Sequence, residues 1–285
     1  MLFRSGLWEG SGDFAAELGR RAKAIERSGG RHPFRLVGIL RNLNDEPGNR
    51  VLGRRYVPLL GRDYQTDRVG KPLPRAKKDR KGATPPLALR VSAGSFYQSH
   101  KNADALLYRP IFEELLSFAD GDDASESLRG QRVVDAYAGV GAFAIRAARA
   151  GAGSVEVVEE NPRAMKDAME NFRRNGLADL ASFHLGRTAE MLHQLEARPG
   201  LLMIDPPRAG LRSEGIEAVL ALDPTSILYV SCHGPSLARD IGELVQRGPW
   251  EIRSQEAADL FPRTGHLEIV TLLGPKGVTR TGQGN

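Results

Sequence analysis

The sequence predicts an α/β fold: a parallel, doubly wound sheet with a small β-rich, basic region in front of it. Three observations predict it. From about residue 130 onward, short apolar runs alternate with stretches of helical period, the pattern of strand–helix–strand units. Before residue 93 the apolar runs are short and separated by turn-forming residues. Between the first strand and first helix of the alternating part stands Gly139-Val140-Gly141, a turn in which backbone can approach a ligand closely.

Taken in order, residues 13–28 read as a short amphipathic helix ending at Gly29-Gly30. Phe34 to Leu40 and Tyr56 to Leu60 read as strands, set apart by "NDEPGN" and Gly61. The stretch 70–86 is rich in Pro, Gly, Lys and Arg and reads as a loop, followed by a strand near Leu87 to Val91. Apolar residues recur at helical spacing from Asn102 to Ala119. The alternating part then runs "RVVDAYAG" (strand), "AFAIRAARAG" (helix closed by Gly151), "SVEVVEE" (strand) and "PRAMKDAMENFRRNGL". That last stretch is a helix with Pro162 in its first turn, where a missing N–H is harmless. "ASFHLG", a helix near 188–197, "GLLMID", a helix near 213–222, "SILYVSC", a helix near 235–247, "EIRSQEAAD" and "HLEIVTLLG" follow. The expected division is a basic β-rich domain over 1–93, the α/β domain over 94–275 and a disordered tail over 276–285.

Composition bounds the chemistry. Residues 1–90 carry 20 Lys and Arg against 9 Asp and Glu, whereas residues 91–285 carry 20 against 26, so the basic excess lies in the first third. A polyanion such as structured RNA suits that region; a solvated surface loop is the other reading of its densest part, "GKPLPRAKKDRKG". The single cysteine, Cys232, excludes an internal disulfide, a protein-held iron–sulfur cluster and a cysteine-rich zinc site within one chain. No apolar run approaches the ~20 residues that span a bilayer. With no apolar signal stretch near the N-terminus, a cytoplasmic monomer is the expectation.

Candidate site residues cluster at strand ends. Glu159 ends the strand after the glycine turn and is placed to accept hydrogen bonds from ribose hydroxyls. The third glycine of a dinucleotide fingerprint is missing, and Asp135 just before the turn would repel a pyrophosphate. An acid there suits a cation instead, such as the amino group or sulfonium of S-adenosylmethionine; a dinucleotide site and a purely structural turn are the alternatives. "LLMIDPPRAGL" ends the next strand in Asp205-Pro206-Pro207-Arg208, a loop that two prolines hold rigid. "ILYVSCHGPSLARD" ends another in Cys232. A strand cysteine is often an inert buried side chain. Its place at a carboxyl strand end, a helix starting near Pro235, and the nearby cations Arg208, His233 and Arg239 favour a nucleophile of lowered pKa.

Four stretches together resemble the RNA uracil-C5 methyltransferases, the S-adenosylmethionine-dependent 5-methyluridine family acting on tRNA and 23S rRNA. They are "SFYQSH" (95–100), "DAYAGVGAFAI", "DPPRAGL" with "ILYVSCHGPSLARD", and "DLFPRTGHLEIV" (259–270), and the likeness covers roughly residues 35 to 273. The resemblance implies a Rossmann-like catalytic domain, Cys232 as nucleophile towards uracil carbon 6 and Glu268 as the base that removes the carbon-5 proton. It implies Phe96 and Arg208 at the target base, and Gln98, Tyr137, Gly139, Gly141, Glu159 and Asp205 around the cofactor. The chain departs from the family in three places. His233-Gly234-Pro235 replaces Asn-Pro after the nucleophile, Arg187 stands where relatives place a smaller polar residue near the adenine, and Arg263 replaces a shorter residue. Two other readings fit the same residues: an exocyclic-amine methyltransferase built on Asp205-Pro206-Pro207, and a non-catalytic RNA-binding relative.

Overall fold

The computed structural model describes residues 37–43, 53, 55–70, 86–98, 100–117 and 128–277, with shorter pieces at 3–4 and within 16–24. Within 16–24 the described residues are helical; the expected end of that helix at Gly29-Gly30, most of the basic 70–86 stretch and the tail from 278 lie outside the described residues.

Three small strands come first. β2 (Gly38–Leu43) pairs antiparallel with β3 (Arg55–Gly61) and parallel with the short β1 (Phe3–Arg4). β4 (Tyr64–Val69) and β5 (Leu87–Ser92) form a separate antiparallel pair. β4 is not anticipated by the sequence pattern. Its residues, Tyr-Gln-Thr-Asp-Arg-Val, lack an apolar alternation because none of its positions is fully buried and only one neighbour supports it. The helix expected from Asn102 begins as one π-helical turn, Asp104–Tyr108, and continues as α1 (Arg109–Ser117).

The seven-stranded sheet contains β6 (Arg132–Ala136), β7 (Ser154–Glu159), β8 (Ala181–Leu185), β9 (Leu201–Ile204), β10 (Ser226–Ser231), β11 (Trp250–Ala258) and β12 (Glu268–Pro275). Its order is β11-β12-β10-β9-β6-β7-β8. Five strands are parallel, and β12 runs antiparallel between β10 and β11. The connecting helices are α2 (Ala142–Ala150), α3 (Pro162–Arg174), α4 (Thr188–Leu192), α5 (Arg212–Leu222) and α6 (Gly234–Arg247). α4 is shorter than the expected 188–197.

The middle of the sheet is buried on both faces, which is why β9 and β10 are continuous apolar runs, whereas the edge strands β8 and β11 carry exposed polar residues. Alternate residues enter opposite cores. Val133, Leu201 and Leu228 join Phe112, Ile145 and Phe172 on one face. Val134, Leu202, Ile227 and Tyr229 join Val219, Leu244 and Trp250 on the other. Each such side chain contributes on the order of 1.5–3 kcal/mol by leaving water. The strand order reverses between β6 and β9, and in open α/β sheets ligands bind beyond the carboxyl ends at such a point. Among the described residues, no helix is long and apolar enough to cross a membrane.

Candidate active site

Four parallel strands deliver side chains to that carboxyl edge: Asp135 and Tyr137 from β6, Glu159 from β7, Asp205 from β9 and Cys232 from β10. β12 runs the other way, so its first residue, Glu268, reaches the same edge. Ser231, paired with Ile269, is the last paired residue of β10, so Cys232 and Glu268 both follow at this end of the two strands, and the Glu268 charge acts on the thiol.

The glycine turn takes left-handed backbone at Gly139 (φ 56°) and Gly141 (φ 78°), and Tyr137 before it sits at φ 63°. A side chain at Gly139 would bring its Cβ to 3.0 Å from the Phe96 carbonyl oxygen. The turn is therefore packed directly against the segment that carries Phe96 and Gln98. Glu159 accepts hydrogen bonds from the N–H groups of Gly139 (2.8 Å) and Asn161 (2.7 Å), which orient its carboxylate at the turn. Burial raises its pKa. Asp135 is buried beneath the turn and accepts the Ala144 N–H at 2.8 Å. Burial lifts its pKa to about 7, against the pull of that hydrogen bond. Asp205 is raised well above the ordinary carboxylate range by burial and by the charges of Glu268 and Asp135. Three carboxyl groups crowded at one edge favour a cationic ligand. A left-handed turn that is tight for a Cβ at Gly139, and an acid at the end of β7, fit S-adenosylmethionine.

The lifted Asp135 sets a pH signature. Its ordinary pKa is 3.8, so between about pH 4 and 7 the folded state holds the proton more tightly than the unfolded chain. This contribution lowers stability as pH rises through that window and is constant above it. In the unliganded protein, Asp135→Asn is expected to raise the urea midpoint more at pH 8 than at pH 5. A gain independent of pH would refute the assignment.

Cys232 is partly buried just past the end of β10. The sequence suggests a lowered thiol pKa; the structure gives the opposite direction. Burial, then the charges of Glu268 and Asp205, push the thiol up, and the Arg208 guanidinium opposes them. Of the three cations near it in sequence, Arg208 is the one whose charge acts on the thiol. The Arg239 guanidinium is spent on Asp240 (2.7 Å) and the Ala209 carbonyl (2.8 Å). Asp240 also accepts from the Leu211 N–H (2.7 Å) and the Tyr229 hydroxyl (2.6 Å), so it fastens the Asp205–Leu211 loop to α6.

His233 has a structural task. It is the N-cap of α6, where its Nδ1 accepts the Ser236 N–H at 3.3 Å. Ser231 Oγ closes the turn by donating to the His233 carbonyl and accepting the His233 N–H. An asparagine in this position caps a helix in the same way, and the imidazole keeps that function. His233→Ala is expected to cost about 1 kcal/mol of stability. His233→Asn is expected to restore it, as read by denaturant unfolding.

Glu268 is 2% exposed, and one of its oxygens accepts the Gln98 amide at 3.1 Å. The other, Oε2, is buried with no hydrogen-bond partner. Burial raises this carboxyl, with Gln98 partly opposing the rise. A buried carboxylate oxygen with no partner is poorly solvated and strongly basic. At the mouth stand Phe96, 61% exposed, and Arg208, whose Nη2 lies 3.3 Å from His266 Nε2. Arg187, exposed after β8, pairs with Glu190 (3.1 Å) and Glu214 (2.8 Å). Arg263 has left-handed backbone (φ 71°) on the surface. Sequence reasoning missed Asp240, Asp167 and Asn171, the buried polar groups that hold the site's loops. Asp167 and Asn171 are visible in retrospect as polar residues on the inward stripe of α3.

A family profile described as Conserved hypothetical protein 95 matches residues 115–247. A protein of Oceanobacillus iheyensis named an uncharacterized RNA methyltransferase is 30% identical over 243 residues, 84% of this chain and 46% of that protein. One of the same description from Caldanaerobacter subterraneus is 32% identical over 241 residues, 84% of this chain and 47% of the other. This chain is thus similar to proteins named RNA methyltransferases. It spans about half the length of those curated relatives. Among solved structures, the Pyrococcus abyssi tRNA (uracil-54, C5)-methyltransferase in complex with S-adenosyl-L-homocysteine superposes with TM-score 0.58 and 23% identity, covering 84% of this chain and 51% of that one. Methanocaldococcus jannaschii Trm5 with adenosine gives 0.54 and 13%, covering 96% and 69%. The shared fold is the Rossmann-like methyltransferase sheet.

Proposed function

We propose that this protein transfers a methyl group from S-adenosylmethionine to carbon 5 of a uridine in structured RNA, tRNA or rRNA, through a covalent bond from Cys232 to carbon 6. The observation that carries the reading is that the one thiol of the chain and a buried, half-unpartnered carboxylate come to the same end of β10 and β12, close enough for the carboxylate's charge to act on the thiol. Carbon 5 of uracil is a weak nucleophile. Addition of the Cys232 thiolate to carbon 6 places enolate charge on carbon 5. Arg208, at the sulfur, favours the thiolate and offsets part of its burial. S-adenosylmethionine supplies the electrophilic methyl group; Asp135 and Glu159 with the glycine turn are the residues that would hold it, beside Tyr137, Gln98 and Asp205. Glu268 then takes the carbon-5 proton, the electrons of that C–H bond reform the ring double bond, and the carbon–sulfur bond breaks to return Cys232. Phe96 offers an exposed aromatic face on which an extruded base can stack.

The test uses RNA tritiated at uracil carbon 5. Tritium release that depends on S-adenosylmethionine supports the reading. Methyl incorporation without tritium release would transfer the assignment to an exocyclic amine held by Asp205-Pro206-Pro207, and RNA binding with neither signal would leave an RNA-binding relative.

A further inference from the structure

Helix α3 carries a polar side chain on its inward stripe where apolar ones normally sit. Asp167 and Asn171 are fully buried, and Asn175, just past the helix end, continues the series at the same four-residue interval. All three meet β5, which has β4 on one edge only. The Ser92 N–H donates to Asp167 (2.7 Å). The Arg90 N–H donates to Asn171 Oδ1 (2.5 Å), and Asn171 Nδ2 donates back to the Arg90 carbonyl (3.0 Å). Asn175 makes the same pair of bonds with Ala88 (3.2 and 3.1 Å). The spacing explains the fit. Four helical residues rise ~6 Å and two strand residues advance ~6.6 Å, so every fourth side chain of the helix meets every second residue of the strand. The three side chains take the place of a missing neighbouring strand.

Two of them do more than hold β5. Asn171 Nδ2 also donates to the Val140 carbonyl at 2.9 Å, between the two glycines of the cofactor turn. Asp167 also accepts the Ser95 hydroxyl at 2.8 Å, one residue before Phe96. The Phe96 carbonyl in turn lies against Gly139. We propose that Asn171 and Asp167 are positioning residues that fix the Phe96–Gln98 segment, and through Gln98 the Glu268 carboxylate, against the cofactor turn. One amide thus joins the cofactor side of the site to its target side. The inference rests on the reading of the turn as an S-adenosylmethionine site.

The experiment compares Asn171→Ala with Asn175→Ala in the full chain. Each loses a pair of bonds to β5, but only Asn171 touches the turn. S-adenosyl-L-homocysteine affinity is measured by calorimetry, tritium release gives kcat and the KM for S-adenosylmethionine, and urea midpoints report stability. Asn175→Ala is expected to lower the midpoint and leave the affinity within about twofold of the parent. Asn171→Ala is expected to weaken affinity by about tenfold, the scale of one buried hydrogen bond, and to lower kcat as well. Should Asn171→Ala not fold, Asn171→Asp and Asn175→Asp carry the same comparison: each keeps its acceptor and turns a carboxyl oxygen towards the carbonyls its amide served, but only at Asn171 is one of those carbonyls in the turn. Equal affinities in the two variants would overturn the proposal. A parent protein that does not bind S-adenosyl-L-homocysteine would overturn the cofactor reading itself, and this inference with it.

Discussion

Cys232→Ala is expected to abolish tritium release and methyl transfer together, by roughly a thousandfold or more, while S-adenosyl-L-homocysteine still binds. The size follows from the chemistry. Without a bond at carbon 6, carbon 5 carries no enolate charge, and no other group at the edge can replace the thiolate. The chain has no second cysteine. Ser231, the adjacent hydroxyl, is engaged at both ends by His233 in the turn. Retained cofactor binding follows from position, because Cys232 lies past β10 whereas the turn follows β6. An exocyclic amine needs no thiol, so a variant that keeps methylating RNA would reject the covalent route. Measuring methyl incorporation and cofactor affinity on the same preparation separates loss of chemistry from loss of fold.

Much of the framework was legible because the middle of the sheet is buried on both faces. Strands β6, β7, β9 and β10 are near-continuous apolar runs, and the residue that ends each of them falls at the ligand edge by topology alone. Gly139 and Gly141 were legible because left-handed backbone selects glycine. Glu268 was not legible from spacing. A glutamate in "HLEIV" reads as a surface residue, and it reaches the edge only because β12 reverses direction, so the family likeness pointed to it. The supporting carboxylates were hidden for a different reason. Asp167 and Asp240 sit in helices rich in charge, where an acid ordinarily faces water; their burial depends on backbone N–H groups brought from distant segments. The thiol's upward shift was likewise invisible, since it comes first from burial and then from Glu268 and Asp205, surroundings that neighbour Cys232 in space and not in sequence.

Glu268→Gln is expected to separate the two halves of the reaction. The amide keeps the shape of the carboxyl and can still accept from Gln98, so the fold and the first steps should survive. Losing a buried carboxyl whose pKa is raised carries no penalty to stability. Proton removal from carbon 5 is what fails, and a general base contributes typically 10²–10⁴-fold. Once methylated, carbon 5 still carries its hydrogen, and Cys232 cannot leave until that proton is taken. The variant should therefore stop after at most one methyl group per enzyme and retain its RNA. The expected readout is a protein–RNA species that survives denaturing electrophoresis, forms only with S-adenosylmethionine present, and disappears in the double variant with Cys232→Ala. Normal turnover by Glu268→Gln would assign the proton to another base. Asp205 is then the group to replace next, because it is the other raised carboxyl whose charge acts on the sulfur.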